Sequence, residues 1–196
     1  PPEGATTPIT LTEVKLGRKG GIDVPIAGLQ GLDVIIRDDG TIPGKGDIVG
    51  TVTVEGRGED QQAGHSVQAN GTNQYEEFTN EVGFFHFNNV PGDTYTMIAN
   101  SAGFLKATCE GVAHTLDALT ELADVQLLAG DIDDDGIVDI TDAVAIGAVF
   151  GDASTPENRL IPDLNIDGVV DILDLILMSA NYEQTSEGNP WVCELP

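Results

Sequence analysis

The sequence predicts a mostly β protein: a β-sandwich followed by a small all-α domain. Between residues 47 and 128, short alternating apolar runs are separated by turns rich in glycine, proline and asparagine, which is typical of a sandwich. Between residues 130 and 182, a twelve-residue pattern begins at Asp131 and again at Asp163, 32 residues later. Each copy leads into apolar residues at helical spacing.

Residues 1–46 are predicted to form a linker and a pair of strands. Residues 1–8 are rich in proline and threonine, whereas residues 9–16 and 32–36 alternate as strands do. A glycine-rich loop separates the two runs. Because two strands bury too little surface to stand alone, we expect this pair to pack on the sandwich or on a neighbouring molecule.

The sandwich, residues 47–129, has five predicted strands, at 48–54, 65–69, 83–87, 94–99 and 123–128. Phe85 and Phe87 lie on one face of the third strand. The stretch 114–122 fits a helical turn as well as a strand. Trp191, in the tail of residues 185–196, is predicted to cover a neighbouring domain rather than to bind a ligand.

In both copies of the pattern, positions 1, 3, 5, 9 and 12 carry oxygen-bearing side chains and position 6 is glycine. This is the ligand spacing of a calcium loop, in which position 7 contributes its backbone carbonyl. The predicted ligands are Asp131, Asp133, Asp135, Ile137, Asp139 and Asp142 in the first loop, and Asp163, Asn165, Asp167, Val169, Asp171 and Asp174 in the second. The sequence therefore predicts two Ca²⁺ sites.

Both loops depart from the EF-hand pattern. Position 12 is aspartate rather than glutamate, which shortens the side chain by one methylene. No amphipathic helix precedes either loop: residues 127–129 are too few, and Pro162 stands directly before the second loop. Each unit is therefore predicted to be a loop followed by a helix.

Residues 130–142 and 163–174 resemble the motif of the dockerins in every ligand position. The resemblance implies that residues 130–184, here called the loop–helix repeat, form a calcium-dependent module that docks a cohesin-type protein domain. It also implies that loop positions 10 and 11, and the helix that follows, contact the partner. The matching residues are Ile140, Thr141, Ile172 and Leu173. The two sets differ and are largely apolar, so two alternatives stay open: both faces bind a partner, or one or both pack against the chain's own β domain.

Residues 47–129 resemble the carboxypeptidase regulatory-like module. The likeness rests on Gly50–Val54, Gly83–Phe87, Val90–Tyr95 and Ala102–Leu105. It implies an Ig-like or transthyretin-like sandwich that acts as a rigid spacer and carries no chemistry. Residues 1–46 are faintly similar to the closing strands of a cohesin-like sandwich.

Composition narrows the classes of partner. The chain carries 8 basic and 33 acidic residues, a net charge of −25, which argues against nucleic acid and against anionic membrane surfaces. No apolar run approaches the roughly 20 residues that span a bilayer.

Calcium loops favour an extracellular location, where Cys109 and Cys193 could form a disulfide. Asn70 begins a glycosylation sequon.

No set of catalytic residues emerges, so the protein is predicted not to be an enzyme. His65, His86 and His114 lie in separate strand segments, and no phosphate loop, nucleophile elbow or zinc-protease motif occurs. The leading hypothesis is a docking module. The alternative is a subunit of an extracellular fibre that assembles head to tail by strand addition and is stabilised by calcium.

Overall fold

The computed structural model describes residues 15–16, 24–25, 45–189 and 191–192. The chain divides into two compact units, Pro1–Ile35 and Ile36–Pro196. In the first unit, β1 (Lys15–Leu16) pairs antiparallel with β2 (Val24–Pro25). β2 lies in the stretch that was predicted to be a glycine-rich loop, so that prediction was wrong there. The rest of the predicted strands 9–16 and 32–36 lies outside the described residues.

The second unit contains two four-stranded sheets. Their strands are β3 (Lys45–Val54), β4 (Ser66–Asn70), β5 (Gln74–Phe78), β6 (Phe84–Pro91), β7 (Asp93–Asn100), β8 (Ala107–His114), β9 (Leu119–Glu121) and β10 (Val125–Leu127). In one sheet, β3 pairs antiparallel with β6 and parallel with β9 and β10. The other sheet is antiparallel, in the order β5-β4-β7-β8.

The five strands predicted from alternation correspond to β3, β4, β6, β7 and β10, with small shifts in their ends. Two strands were missed. β5 is polar and almost wholly exposed at a sheet edge, so it shows no apolar alternation. The buried positions of β8 include Ala107, Cys109 and His114, which are small or polar and carry little strand signal. The ambiguous stretch 114–122 contains β9.

The core of the sandwich is built from the inward faces of both sheets. Phe85 and Phe87 are buried on one face, as predicted, with their ring centroids 5.8 Å apart. Val138, Leu164 and Met178 of the loop–helix repeat belong to the same buried cluster. The core is therefore continuous from the sheets into the repeat. The Ig-like or transthyretin-like assignment of the sandwich stays a prediction.

Two short helices follow the two loops. They are α1 (Ile140–Ala148) and α2 (Ile172–Ala180), and each is preceded by an aspartate N-cap. Among the described residues, no helix leads directly into either loop: β10 comes immediately before the first, and turns come immediately before the second. In the part of the chain that the structure describes, no helix combines the length and apolarity needed to cross a membrane.

The C-terminal tail returns to the sandwich. Trp191 is buried, its ring lies edge-on to Phe85 with centroids 6.0 Å apart, and its Nε1 donates to the carbonyl of Ala123 at 2.7 Å. The predicted covering role of this tryptophan is therefore confirmed. Cys109 is buried and takes part in a disulfide. Cys193 lies outside the described residues, and its pairing with Cys109 stays a prediction.

Candidate metal centre

Both loops adopt a tight turn whose backbone favours glycine at position 6. Gly136 and Gly168 have φ angles of 86° and 99°, in the region that side chains disfavour. Position 4 is also left-handed, with φ of 62° at Asp134 and 53° at Ile166. A β-branched residue in this conformation is strained, which is typical of a loop held in place by its contacts.

The first loop brings three carboxylates together. Asp131, Asp133 and Asp142 place ligand oxygens within 4.8 Å of one another. Asp131 and Asp142 are buried, and Oδ1 of Asp131 has no hydrogen-bond partner. A buried carboxylate oxygen without a partner is costly, and a hard cation at this point would satisfy it.

The aspartate at position 12 closes each loop on itself. In the first loop, Oδ1 of Asp142 accepts from the backbone N–H of Ile132 at 2.7 Å, and Oδ2 accepts from that of Asp139 at 2.8 Å. Asp174 does the same in the second loop, with Leu164 at 2.8 Å and Asp171 at 2.9 Å. The same carboxylates complete the capping boxes of the helices. Each position-12 side chain therefore belongs to the loop and to the helix at once.

The second loop repeats this arrangement with one amide. Asp163 is buried and its Oδ1 has no hydrogen-bond partner, as in the first loop. Nδ2 of Asn165, at position 3, donates to Oδ2 of Asp167 at 3.0 Å. The side-chain oxygens of both residues accept backbone N–H groups within the turn. The candidate metal ligands of this loop are also oxygen atoms, with one carboxylate fewer than in the first loop.

Burial raises the pKa values of three of the loop carboxylates. Burial, followed by the charges of Asp142 and Asp134, raises the pKa of Asp131 to about 6. Burial also raises the pKa of Asp142 and of Asp174. A bound cation would favour the charged form of all three. Clustered oxygen donors with unpartnered buried atoms fit Ca²⁺, which prefers six to eight oxygens.

The two loops are tied to each other's helices. The backbone of Val138 exchanges hydrogen bonds with Glu183 and Gln184, which follow α2. The backbone of Val170 bonds with Gly151 and Asp152, which follow α1. Each loop thus pairs with the chain beyond the other helix, and the repeat forms one approximately symmetric body.

The residues predicted to contact a partner lie on the outside of this body. Ile140 is 62% exposed, Ile172 53% and Leu173 49%, and Thr141 is exposed as well. The same helices expose Val144 and Ile176, whose spacing of four residues from Ile140 and Ile172 marks them as extensions of the same two faces. The opposite side of each helix is buried at Ile146 and Met178. The four predicted partner residues are therefore all exposed at the surface of the repeat.

Other contacts join the repeat to the sandwich. Nδ2 of Asn181 donates to Oε2 of Glu55 at 2.6 Å and to the carbonyl of Ala129 at 2.9 Å. Lys106 pairs with Asp134 at 2.9 Å. Gly56 has φ of 82°, and a Cβ there would meet a methyl group of Leu177 at 2.5 Å. The sequence gives no local signal for these contacts.

The three histidines occupy separate positions in the sandwich. Nδ1 of His65 bonds with the hydroxyl of Ser101 at 2.9 Å, and Nε2 of His86 bonds with Asp47 at 3.1 Å. His114 bonds with the hydroxyl of Thr120 at 2.7 Å. The sequon residue Asn70 is half-buried at the end of β4, and its glycosylation stays a prediction.

The segment that contains both loops is similar in sequence to a known protein domain. Residues 129–182 match the sequence profile of the dockerin type I domain. Among curated protein sequences, none matches the chain.

Solved structures resemble a larger part of the chain. Two are crystal structures of interface mutants of a type II cohesin–X–dockerin complex from Acetivibrio cellulolyticus. A C-terminal interface mutant gives a TM-score of 0.62 at 22% identity, and an N-terminal interface mutant gives 0.61 at 24% identity. Each match covers 72% of this chain and 97% of the other.

The two findings cover different lengths. The profile match spans little more than a quarter of the chain, so the structural likeness extends from the repeat into the sandwich. At these identities the likeness is one of fold. The paired loops therefore lie in a segment that matches the dockerin type I domain, carried on a fold similar to that of the cohesin–X–dockerin structures.

Proposed function

We propose that this chain is a non-catalytic, extracellular, calcium-dependent docking module that binds a cohesin-type domain. The observation that carries the proposal is the pair of loops with buried, unpartnered carboxylate oxygens at position 1, inside a segment that matches the dockerin type I domain. Each loop would hold one Ca²⁺ through the ligands predicted from the sequence. Neutralising these carboxylates would stabilise the turns that start α1 and α2.

The exposed helix faces supply the docking surface. Ile140, Val144, Ile172, Leu173 and Ile176 are all at least 49% exposed. These exposed aliphatic side chains recur at helical spacing and suit an apolar patch on the partner. The chain that carries them has a net charge of −25. The charge that surrounds them would disfavour acidic partners and steer basic ones.

The sandwich would serve as a rigid support for the repeat. A continuous core and the bonds from Asn181 to Glu55 and Ala129 join the two parts. A support of this kind fixes the direction in which the docking faces point, which lowers the entropy lost on binding. The likeness to cohesin–X–dockerin structures supports this arrangement.

The proposal is tested by titrating the calcium-loaded chain with purified type I and type II cohesin domains in a calorimeter. We expect one cohesin type to bind, and excess chelator to abolish binding. The double variant Ile140→Asp/Val144→Asp removes one face, and Ile172→Asp/Ile176→Asp removes the other. Leu116→Asp, at a 56% exposed position of the sandwich, is the matched control.

The pattern of losses identifies the face that is used. Loss of binding in one double variant only would assign docking to that face. Loss only when both are combined would show that either face suffices. If no cohesin binds, or if all variants bind as the unmodified chain does, the proposed function is wrong.

A further inference from the structure

A cavity of about 350 Å³ lies where the sandwich meets the segment between the two helices. Arg57, His65, Asn100 and Ser101 line it from the sandwich, and Arg159 lines it from the repeat. Among the described residues, no aspartate or glutamate lines this cavity. Its wall is therefore basic and polar on a chain with 33 acidic residues.

Among the described residues, no carboxylate forms an ion pair with either arginine of the cavity. Arg57 and Arg159 are two of only eight basic residues in the chain. The charge of Asp163, which lies farther away than an ion-pair partner would, raises the pKa of Arg57. Burial and the charge of Arg159 lower the pKa of Arg57 to about 10. An anion between the two guanidinium groups would relieve this repulsion.

Arg57 is held in place at the cavity wall. Its Nε donates to the carbonyl of Leu164 at 3.1 Å, and its guanidinium carbon lies 4.9 Å from the centre of the Phe104 ring. These contacts fix the plane of the guanidinium, so little entropy is lost when its terminal N–H groups bind a ligand. Arg159 is exposed, so its side chain is free to adjust its position to a bound ligand.

Two polar atoms beside the arginines are unsatisfied. His65 is only 1% exposed, and its Nε2 has no hydrogen-bond partner, while Nδ1 bonds with Ser101. Oδ1 of Asn100 is likewise buried without a partner. Burial and the two arginine charges hold the pKa of His65 at about 4, so this ring is neutral at physiological pH. Buried polar groups without partners are uncommon and call for a ligand or water.

We propose that this cavity binds a compact oxoanion, a carboxylate or sulfate group, clamped between Arg57 and Arg159. Paired guanidinium groups match the oxygens of such groups and bind them through charge-assisted hydrogen bonds. The volume is in the range of small-ligand pockets and leaves room for an acid as large as a monosaccharide. Because its wall comes from both parts of the unit, a bound anion would fasten the repeat to the sandwich.

The test is an NMR titration of the calcium-loaded chain with sodium sulfate, against sodium chloride at equal ionic strength. Sodium acetate and sodium galacturonate form two further arms. We expect saturable shifts in the backbone amides of Gly64, His65, Ser101 and Ile161. Arg159→Gln should weaken binding about tenfold, which corresponds to about 1.4 kcal/mol. Lys106→Gln removes a lysine that pairs with Asp134 and should leave binding unchanged.

The three anions separate the sources of the ligand. Tighter binding of galacturonate than of acetate would identify an acidic sugar, and equal binding would identify a carboxylate group alone. Tighter binding of sulfate would identify a tetrahedral oxoanion. Shifts that do not saturate, or that are the same in Arg159→Gln and Lys106→Gln, would overturn the site. The experiment contains no cohesin, so its result is independent of the proposed docking function.

Discussion

Asp131 carries a buried carboxylate, and its surroundings disfavour the charged form of this side chain in the metal-free chain. It is 1% exposed, its Oδ1 lacks a partner, and Asp142 and Asp134 lie nearby. All three features disfavour the charged form. The fold therefore depends on something that neutralises this side chain, either a proton or a cation.

This dependence predicts an unusual pH profile for the metal-free chain. Asp131 has a pKa of about 6 when folded and about 4 when unfolded. Between these values the unfolded chain has released a proton that the folded chain keeps, so the free energy of unfolding falls as pH rises. We expect a larger helical circular-dichroism signal from the metal-free chain at about pH 4.5 than at about pH 7.

Calcium should reverse this trend, because cation binding requires the deprotonated carboxylate. The matched variant is Asp131→Asn, which keeps the shape of the side chain and cannot titrate. In the metal-free state it should show a weaker pH dependence, with the remainder arising from Asp142 and Asp174, whose pKa values are also raised. A pH profile identical to that of the unmodified chain would contradict the role given to Asp131.

At the scale of elements, each helix begins at residues that also belong to a calcium loop. Asp139 and Asp142 form the capping box of α1, and Asp171 and Asp174 form that of α2. Both helices are nine residues long, which is too short to persist alone in water. Helix formation should therefore be coupled to the loops.

We predict that excess chelator at neutral pH removes the helical circular-dichroism signal and that calcium restores it at two ions per chain. Asp135→Ala and Asp167→Ala each remove one carboxylate from one loop and should reduce the stoichiometry to one. The β signal of the sandwich should remain and serves as the internal control. Helicity that survives excess chelator would show that the loops fold without metal.

Sequence reasoning succeeded for elements whose contacts are local. The loops follow from ligand spacing and the glycine at position 6, and the helices follow from apolar residues at helical spacing. Sequence reasoning failed for β5 and β8. These segments form strands because they pair with β4 and β7, and neither has a clear apolar pattern of its own. The sequence also left unresolved which apolar residues of α1 and α2 face the solvent.

At the scale of the whole molecule, Asn181 joins the repeat to the sandwich. We predict that Asn181→Ala lowers the free energy of unfolding of the calcium-loaded chain by about 1 to 3 kcal/mol, because the buried carbonyl of Ala129 loses its side-chain donor and Oε2 of Glu55 keeps only the backbone N–H of Ala129. Asn73→Ala, at an exposed turn position, is the control and should have little effect. Urea unfolding followed by circular dichroism measures both. Equal stability of the two variants would show that this junction contributes nothing.

Deleting residues 1–44 tests the alternative of a fibre subunit. β3 begins at Lys45, so this deletion leaves the sheets of the second unit intact. If the segment donates strands to a neighbouring molecule, the shortened chain should be a folded monomer that no longer assembles. If it packs within its own chain, the melting temperature should fall. Unchanged size by light scattering and unchanged melting temperature would mean that the segment is a linker, and the fibre hypothesis would lose its support.

The sequence by itself determined the loop–helix order and most strands of the sandwich, and it predicted the candidate metal ligands. Each of these depends on residues close together in the chain, where spacing alone fixes which side chains share a turn or a face. Repetition strengthened the inference, because Asp163 to Asp174 carries the same pattern as Asp131 to Asp142.

Only the tertiary structure decided how the parts meet. Ile140 and Ile146 are both apolar residues of α1, yet one is 62% exposed and the other is buried, because only one side of the helix meets the core. Arg57 and Arg159 are 102 residues apart in the chain and line one cavity. Contacts of this kind depend on packing between distant segments, which no local pattern in the chain records.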